Sequence, residues 1–177
     1  MKRAGILTAL SVLLVALPAS PALASQTTSI NPENAPAGTH LQSGTIGCTV
    51  IGQTVSCSSF ELAGVGHTNA TLKLRATYSA TIDCRNPGGH VVESHSQEVT
   101  VSSGPIKLRS TKNGRLTVPE ASISRPTKRQ ILRQASCPNP NWTPEVRKGT
   151  ITLESFTYTL KFKGFSGPYI KITGNDP

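Results

Sequence analysis

Between residues 71 and 84, Leu72, Leu74, Ala76, Tyr78, Ala80, Ile82 and Cys84 alternate without a miss with Thr, Lys, Arg, Ser and Asp. A period of two puts every apolar side chain on one face of an extended strand, whereas a helix would scatter the same residues around its axis. The segment is therefore a strand with one face in a core and one face in water. At about 3.4 Å per residue it reaches roughly 48 Å, longer than usual strands, so a bend or bulge is expected in it.

The rest of the chain follows the same pattern. Asn86, Pro87, Gly88 and Gly89 form a turn signal, and 90–101 reads as the returning strand with a mostly polar face. In 106–118 the pair Asn113-Gly114 is normally a hairpin signal. A two-residue turn there would oppose Leu116 to Thr111 and Val118 to Arg109, so the apolar faces mismatch and that register is not expected. Residues 126–136 alone look helical: Thr127 and Gln130 make a capping box, Ile131, Leu132 and Ala135 an apolar stripe, and Cys137-Pro138 a stop. Ile151 and Leu153 share one parity and Phe156, Tyr158, Leu160 and Phe162 the other, which predicts a β-bulge at Glu154-Ser155. A turn at 164–168 and an apolar end at Tyr169, Ile170 and Ile172 complete a hairpin. The fold class expected is all-β, a mainly antiparallel sandwich or open barrel of about seven or eight strands with one short helix.

The domain plan begins with 1–24 as a signal peptide. Lys2 and Arg3 supply a positive start, 6–17 is an apolar run, and Ala22-Leu23-Ala24 puts small residues at a cleavage position. The run is short and followed by Pro18 and Pro21, unsuited to crossing roughly 30 Å of hydrocarbon. No later segment is apolar enough to span, so no transmembrane segment is expected in the mature chain. Residues 25–43, rich in Ser, Thr, Asn, Pro and Gly, read as a flexible lead-in, and 44–177 as a single disulfide-stapled β domain. The localisation expected is secreted, either extracellular or associated with the cell wall.

Export favours disulfides for the four cysteines, Cys48, Cys57, Cys84 and Cys137, whose spacing lacks the paired short intervals of a structural zinc site. Three connectivities are available. Gly52-Gln53 suits a two-residue type II′ turn, and folding about it pairs Ile51 with Thr54, Val50 with Val55, Thr49 with Ser56 and Cys48 with Cys57. Alternation makes the Cys pair non-hydrogen-bonded, where side chains approach most closely. Cys84 is left for Cys137.

The stretch from Cys48 to Cys57, the following Phe60-Glu-Leu-Ala-Gly-Val-Gly66 with Thr68-Asn-Ala-Thr71, then Asn113-Gly-Arg-Leu-Thr-Val-Pro119 and Ser155-Phe-Thr-Tyr-Thr-Leu160, together resemble a group of small secreted actinomycete proteins. The resemblance spans most of the expected mature chain. It implies secretion and bacterial origin and carries no activity, ligand or catalytic residue.

Catalytic signatures are missing from the sequence. There is no Gly-x-Ser-x-Gly elbow and no phosphate-cradling Gly-x4-Gly-Lys, and no cofactor is expected. His40, His67, His90 and His95 make no local ligand set: Glu93 and His95 share a strand face by parity, and His90 lies on the other. No catalytic or metal residue is therefore assigned, although an enzyme assembled from distant strands stays open.

Charge is the more informative feature. Lys and Arg number 18 against nine Asp and Glu, and residues 101–150 hold ten of the basic groups with only two acids. Arg125, Lys128, Arg129 and Arg133, on or just before the expected helix, are the candidate polyanion-binding residues; the alternative is an ordinary solvated surface. Trp142, in a Pro-stiffened segment after Cys137, either serves as a recognition loop or caps one end of the core, and the capping role is favoured. The function expected is a non-catalytic secreted binding protein with a basic face for an anionic polymer or cell surface: wall polyanion, anionic lipid surface or extracellular nucleic acid. The alternative partner is an extracellular protein, with the chain acting as an inhibitor of an extracellular hydrolase through the segment 137–144.

Overall fold

The structure, a computed structural model, describes residues 25–175. The expected signal peptide lies outside the described residues. The described residues hold thirteen strands: β1 Gln26–Ile30, β2 His40–Gly44, β3 Cys48–Ile51, β4 Thr54–Cys57, β5 Phe60–Ala63, β6 Ala70–Arg85, β7 Val91–Ser102, β8 Ile106–Leu108, β9 Leu116–Val118, β10 Ala121–Ile123, β11 Thr143–Val146, β12 Thr152–Phe162 and β13 Ile170–Gly174. Among the described residues one short α-helix, α1, covers Lys128–Leu132, and Pro32–Asn34 form a single 3-10 turn. All strand pairings are antiparallel, so the all-β fold class holds, with more and shorter strands than the sequence pattern implied.

The long alternating run is β6, the centre of a seven-stranded sheet. Its length is used by giving each edge two partners in succession. On one edge β12 pairs with residues 70–79 and β11 with 82–85; on the other, β8 pairs with 70–72 and β7 with 75–85. The ladder with β7 shifts register between Cys84 and Arg85, but the extra residue is Val92 of β7, so the bulge falls on the partner strand rather than in β6 as expected. β13 and β1 extend the sheet beyond β12. The phase slip also appears: the β12–β6 register shifts between Leu153 and Ser155, leaving Glu154 as the extra residue.

Two three-stranded sheets, β10-β4-β3 and β2-β5-β9, form the second layer. Their side chains, among them Val55, Leu62, Leu116 and Val118, share one buried cluster with Leu72, Leu74, Ala76 and Tyr78 of β6 and with Tyr158 and Leu160 of β12. A second cluster joins Ala80, Ile82 and Cys84 to Val99, Val146 and Ile131 of α1. The inward face of β6 thus runs under both cores.

The region 25–43, expected to be a flexible lead-in, is instead part of the sheets. β1 pairs with β13 over five residues and β2 pairs with β5. Every residue of both strands is exposed, so backbone ladder bonds rather than burial hold them, and hydropathy carries no trace of such strands. Between them Ala35 is buried, and the Asn34 side-chain oxygen accepts the Gly167 N–H at 3.1 Å.

The cysteines pair as the hairpin register requires, Cys48 with Cys57 and Cys84 with Cys137. The turn differs in type. Gly52 and Gln53 both have positive φ, 55° and 72°, which is the I′ rather than the II′ form. The I′ twist matches the flanking strands, and the unfavourable left-handed Gln53 is anchored on both sides. Its carbonyl accepts the Tyr78 hydroxyl and its side-chain oxygen the backbone N–H of Leu153. At Asn113-Gly114 a tight turn forms, with Gly114 at φ 70°, yet β8 and β9 on either side join different sheets. The mismatched hairpin is avoided.

Candidate anion-docking surfaces

α1 begins as its sequence dictates. The Thr127 hydroxyl accepts the Gln130 N–H at 3.3 Å, and the Gln130 side-chain oxygen accepts the Thr127 N–H at 2.8 Å, completing the capping box. The regular helix is five residues, shorter than the 126–136 expected; the chain then turns toward Cys137, which is bonded to Cys84 of β6. Ile131 is fully buried, while Lys128, Arg129 and Arg133 are exposed, as is Arg125 ahead of the helix. None of these four cations is ion-paired with a described residue. Arg129 and Arg133, four apart, lie one turn from each other along the helix edge.

Four of the remaining basic residues of 101–150, Arg115, Arg147, Lys107 and Arg109, are engaged elsewhere. Arg115 pairs with Glu61 at 2.7 Å on the second layer. Arg147 grips the buried carboxylate of Asp83 with two nitrogens, at 2.6 and 3.1 Å, and the Ser94 hydroxyl donates to the same carboxylate at 2.7 Å. Hydrogen bonds from Arg147 and Ser94 hold the Asp83 carboxyl below its ordinary range. Both arginines are thereby partly neutralised, so a window count along the chain overstates the free charge in this region.

Lys107 and Arg109 belong to a different feature, a cleft of about 560 Å3 where β6 begins and β12 ends. Lys161 and Lys163 stand on its other side; Leu108 and Phe162, both buried, and the half-buried Phe165 line it. The Lys161 ammonium donates to the Ser166 carbonyl at 2.9 Å. Composition alone hides Lys161 and Lys163, because residues outside 101–150 carry nearly balanced charge, whereas Lys107 and Arg109 are already counted in the basic stretch. The alternation of Lys161 and Lys163 with Leu160 and Phe162 is the signal that would have placed them on an outward face.

Trp142 is half-buried and packs against the second core cluster. Its segment is tied at both ends. Cys137 is disulfide-bonded, and Thr143 and Pro144 already pair with Arg85 and Cys84 of β6. Within it, the Asn139 carbonyl accepts the Trp142 N–H at 3.0 Å and the Asn139 side chain accepts the Asn141 N–H at 2.9 Å.

Glu93 and His95 share a face of β7, 3.7 Å apart, as parity requires. Among the described residues no group of three His, Cys, Asp or Glu side chains is placed to hold a metal, and no helix is long and apolar enough to cross a membrane. No protein-family model, curated protein or solved structure matches the chain.

Proposed function

We propose that the protein is a non-catalytic secreted binding protein that docks on an anionic polymer through the cations on and before α1. The observation that carries this reading is the set Arg125, Lys128, Arg129 and Arg133, all exposed and none ion-paired among the described residues, in a chain with twice as many basic as acidic side chains. Unpaired surface cations attract a polyanion at long range, and their displacement of its counterions makes affinity fall steeply with salt. The export-like N-terminus and the two disulfides support a location outside the cell.

The test is retention on immobilised heparin and on duplex DNA across a salt gradient. The comparison is between the wild type and a variant combining Lys128→Glu, Arg129→Glu and Arg133→Glu. Four phosphate contacts to duplex DNA give a log–log salt slope of about −3.6, which the variant should flatten. Equal retention of the two folded proteins removes α1 as the docking element, and no wild-type retention above low salt removes the polyanion reading.

A further inference from the structure

The registers of the large sheet bring together cations that are far apart in sequence. Directly opposed residues share a face, and on the outward face of β6 three successive rows can be read across the strands. Lys107, Thr71 and Lys161 form the first row. Lys73, Thr159, Lys171 and Ser29 form the second. Ser102, Arg75, Thr157, Thr173 and Thr27 form the third.

These rows hold five cations, otherwise only Ser and Thr, and no carboxylate. None of the five is ion-paired with a described residue. Arg75, Lys107, Lys161 and Lys171 are exposed, and Lys73 is half-buried. The nearest acids on this face stand about two rows further on: Glu98 sits opposite Ser79, and the carboxylate of the bulge residue Glu154 accepts the Ser79 hydroxyl. With strands about 4.8 Å apart, Lys107 and Lys161 flank Thr71 at a separation of roughly 10 Å, as Lys73 and Lys171 flank Thr159; Lys73 and Arg75 are about 7 Å apart along β6.

We propose that this end of the outer sheet face binds an extended anionic glycan, with the cations on its acidic groups and the intervening hydroxyls on its sugar hydroxyls. Three properties favour that occupant. The rows contain no aromatic side chain, and Phe165 beside the first row is half-buried in the adjoining cleft, so no series of rings is offered on which successive bases could stack, which disfavours single-stranded nucleic acid. The open face of a sheet is not a shape that enters a duplex groove in the way a helix or two-stranded ribbon does. No apolar side chain stands in these rows to enter a bilayer, and the hydroxyl array suits a partner that is itself hydroxylated between its charges. α1 packs on the other side of the sheet from these cations, Ile131 lying against Ala80, Ile82 and Cys84, although at the β7 edge Arg133 lines a shallow pocket with Thr100 and Ser102. The inference rests on the polyanion reading above but not on the α1 cations.

The experiment measures retention of the full mature protein on dextran sulfate and on uncharged dextran. Three proteins are compared: wild type, a variant with Lys73→Gln, Arg75→Gln, Lys161→Gln and Lys171→Gln, and the threefold α1 variant. Wild type should be held by dextran sulfate only. The fourfold variant should lose affinity by about tenfold or more at moderate salt, and the α1 variant should stay above it. Should the fourfold variant fail to fold, the pair Lys161→Gln and Lys171→Gln, both exposed, should still weaken retention. Wild-type binding that the sheet variants leave unchanged overturns the inference while keeping the polyanion reading. No wild-type retention on dextran sulfate, duplex DNA or equimolar phosphatidylglycerol–phosphatidylcholine vesicles overturns both. Tighter binding to the DNA or the vesicles than to dextran sulfate overturns the glycan assignment.

Discussion

The hydroxyl of Tyr78, in the middle of β6, donates to the backbone carbonyl of Gln53 at 3.0 Å and so ties the tip of the disulfide hairpin to the large sheet. Tyr158, on the neighbouring strand, is equally buried, each tyrosine being 1% exposed, yet its hydroxyl has no hydrogen-bond partner among the described residues. A satisfied buried hydroxyl contributes to stability, whereas an unsatisfied one keeps its full desolvation penalty. The two Tyr→Phe substitutions should therefore have opposite signs. Tyr78→Phe should lower unfolding free energy by about 1 kcal/mol and Tyr158→Phe should raise it by about 1 kcal/mol, read from urea midpoints at constant slope. Equal destabilisation by both would mean that the Tyr158 hydroxyl is satisfied in solution.

What could be read in advance depended on whether a signal was local. The alternation of Leu72 to Cys84, the Thr127–Gln130 box, the phase slip at Glu154 and the Cys48–Cys57 register all act within a few residues, and each appears in the structure. β1 and β2 leave no hydrophobic pattern because they bury no side chains. The outer cationic rows were illegible for a different reason. Lys73, Lys107, Lys161 and Lys171 meet only through ladders between strands distant in sequence; Lys107 is counted with the basic stretch 101–150, while outside it Glu93, Glu98 and Glu154 offset the other three.

Stability should fall at both extremes of pH, for separate groups. Arg147 and Ser94 hold the folded Asp83 carboxyl below its ordinary range, so the unfolded chain takes up a proton first as the medium is acidified. That contribution is complete above the unfolded carboxyl value of about 3.9 and is lost as pH falls through the lower folded value. Asp83→Asn should lower the neutral-pH melting temperature and flatten its decline below about pH 4. At the alkaline end, burial pushes the phenols of Tyr78, Tyr158 and Tyr169 up. The unfolded chain then ionises first, and stability should drop above about pH 10. A wild-type acid limb identical to that of Asp83→Asn would show that other carboxyls set it.

The two disulfides should differ in weight. Cys84–Cys137 closes a sequence separation of 53 residues and Cys48–Cys57 one of 9. Restriction of the unfolded chain then favours the long bridge, about 4 kcal/mol against about 2.7 kcal/mol. Cys84 is also fully buried in the second core, so its replacement disturbs packing around Ile82 and Ile131 as well. Replacing Cys84 and Cys137 by Ala should therefore cost more than replacing Cys48 and Cys57. Denaturant unfolding of both double variants without reductant measures the order, and the reverse order would place the main constraint in the hairpin.

Trp142 distinguishes a core role from a recognition role. The indole is half-buried against the cluster formed by Ile82, Val146 and Ile131, and its segment is held at one end by Cys137 and at the other by the β11–β6 ladder. Truncating a fully buried Trp costs about 3–5 kcal/mol, so a half-buried one packed on a small cluster should lose about 2 kcal/mol. Trp142→Ala should lower the urea midpoint accordingly, blue-shifted indole emission of the wild type should move red on unfolding, and retention on dextran sulfate should be unchanged at matched folded fraction. If stability is unaffected and the variant loses inhibition of an extracellular hydrolase that the wild type blocks, the side chain is presented for a protein partner and the core assignment is wrong.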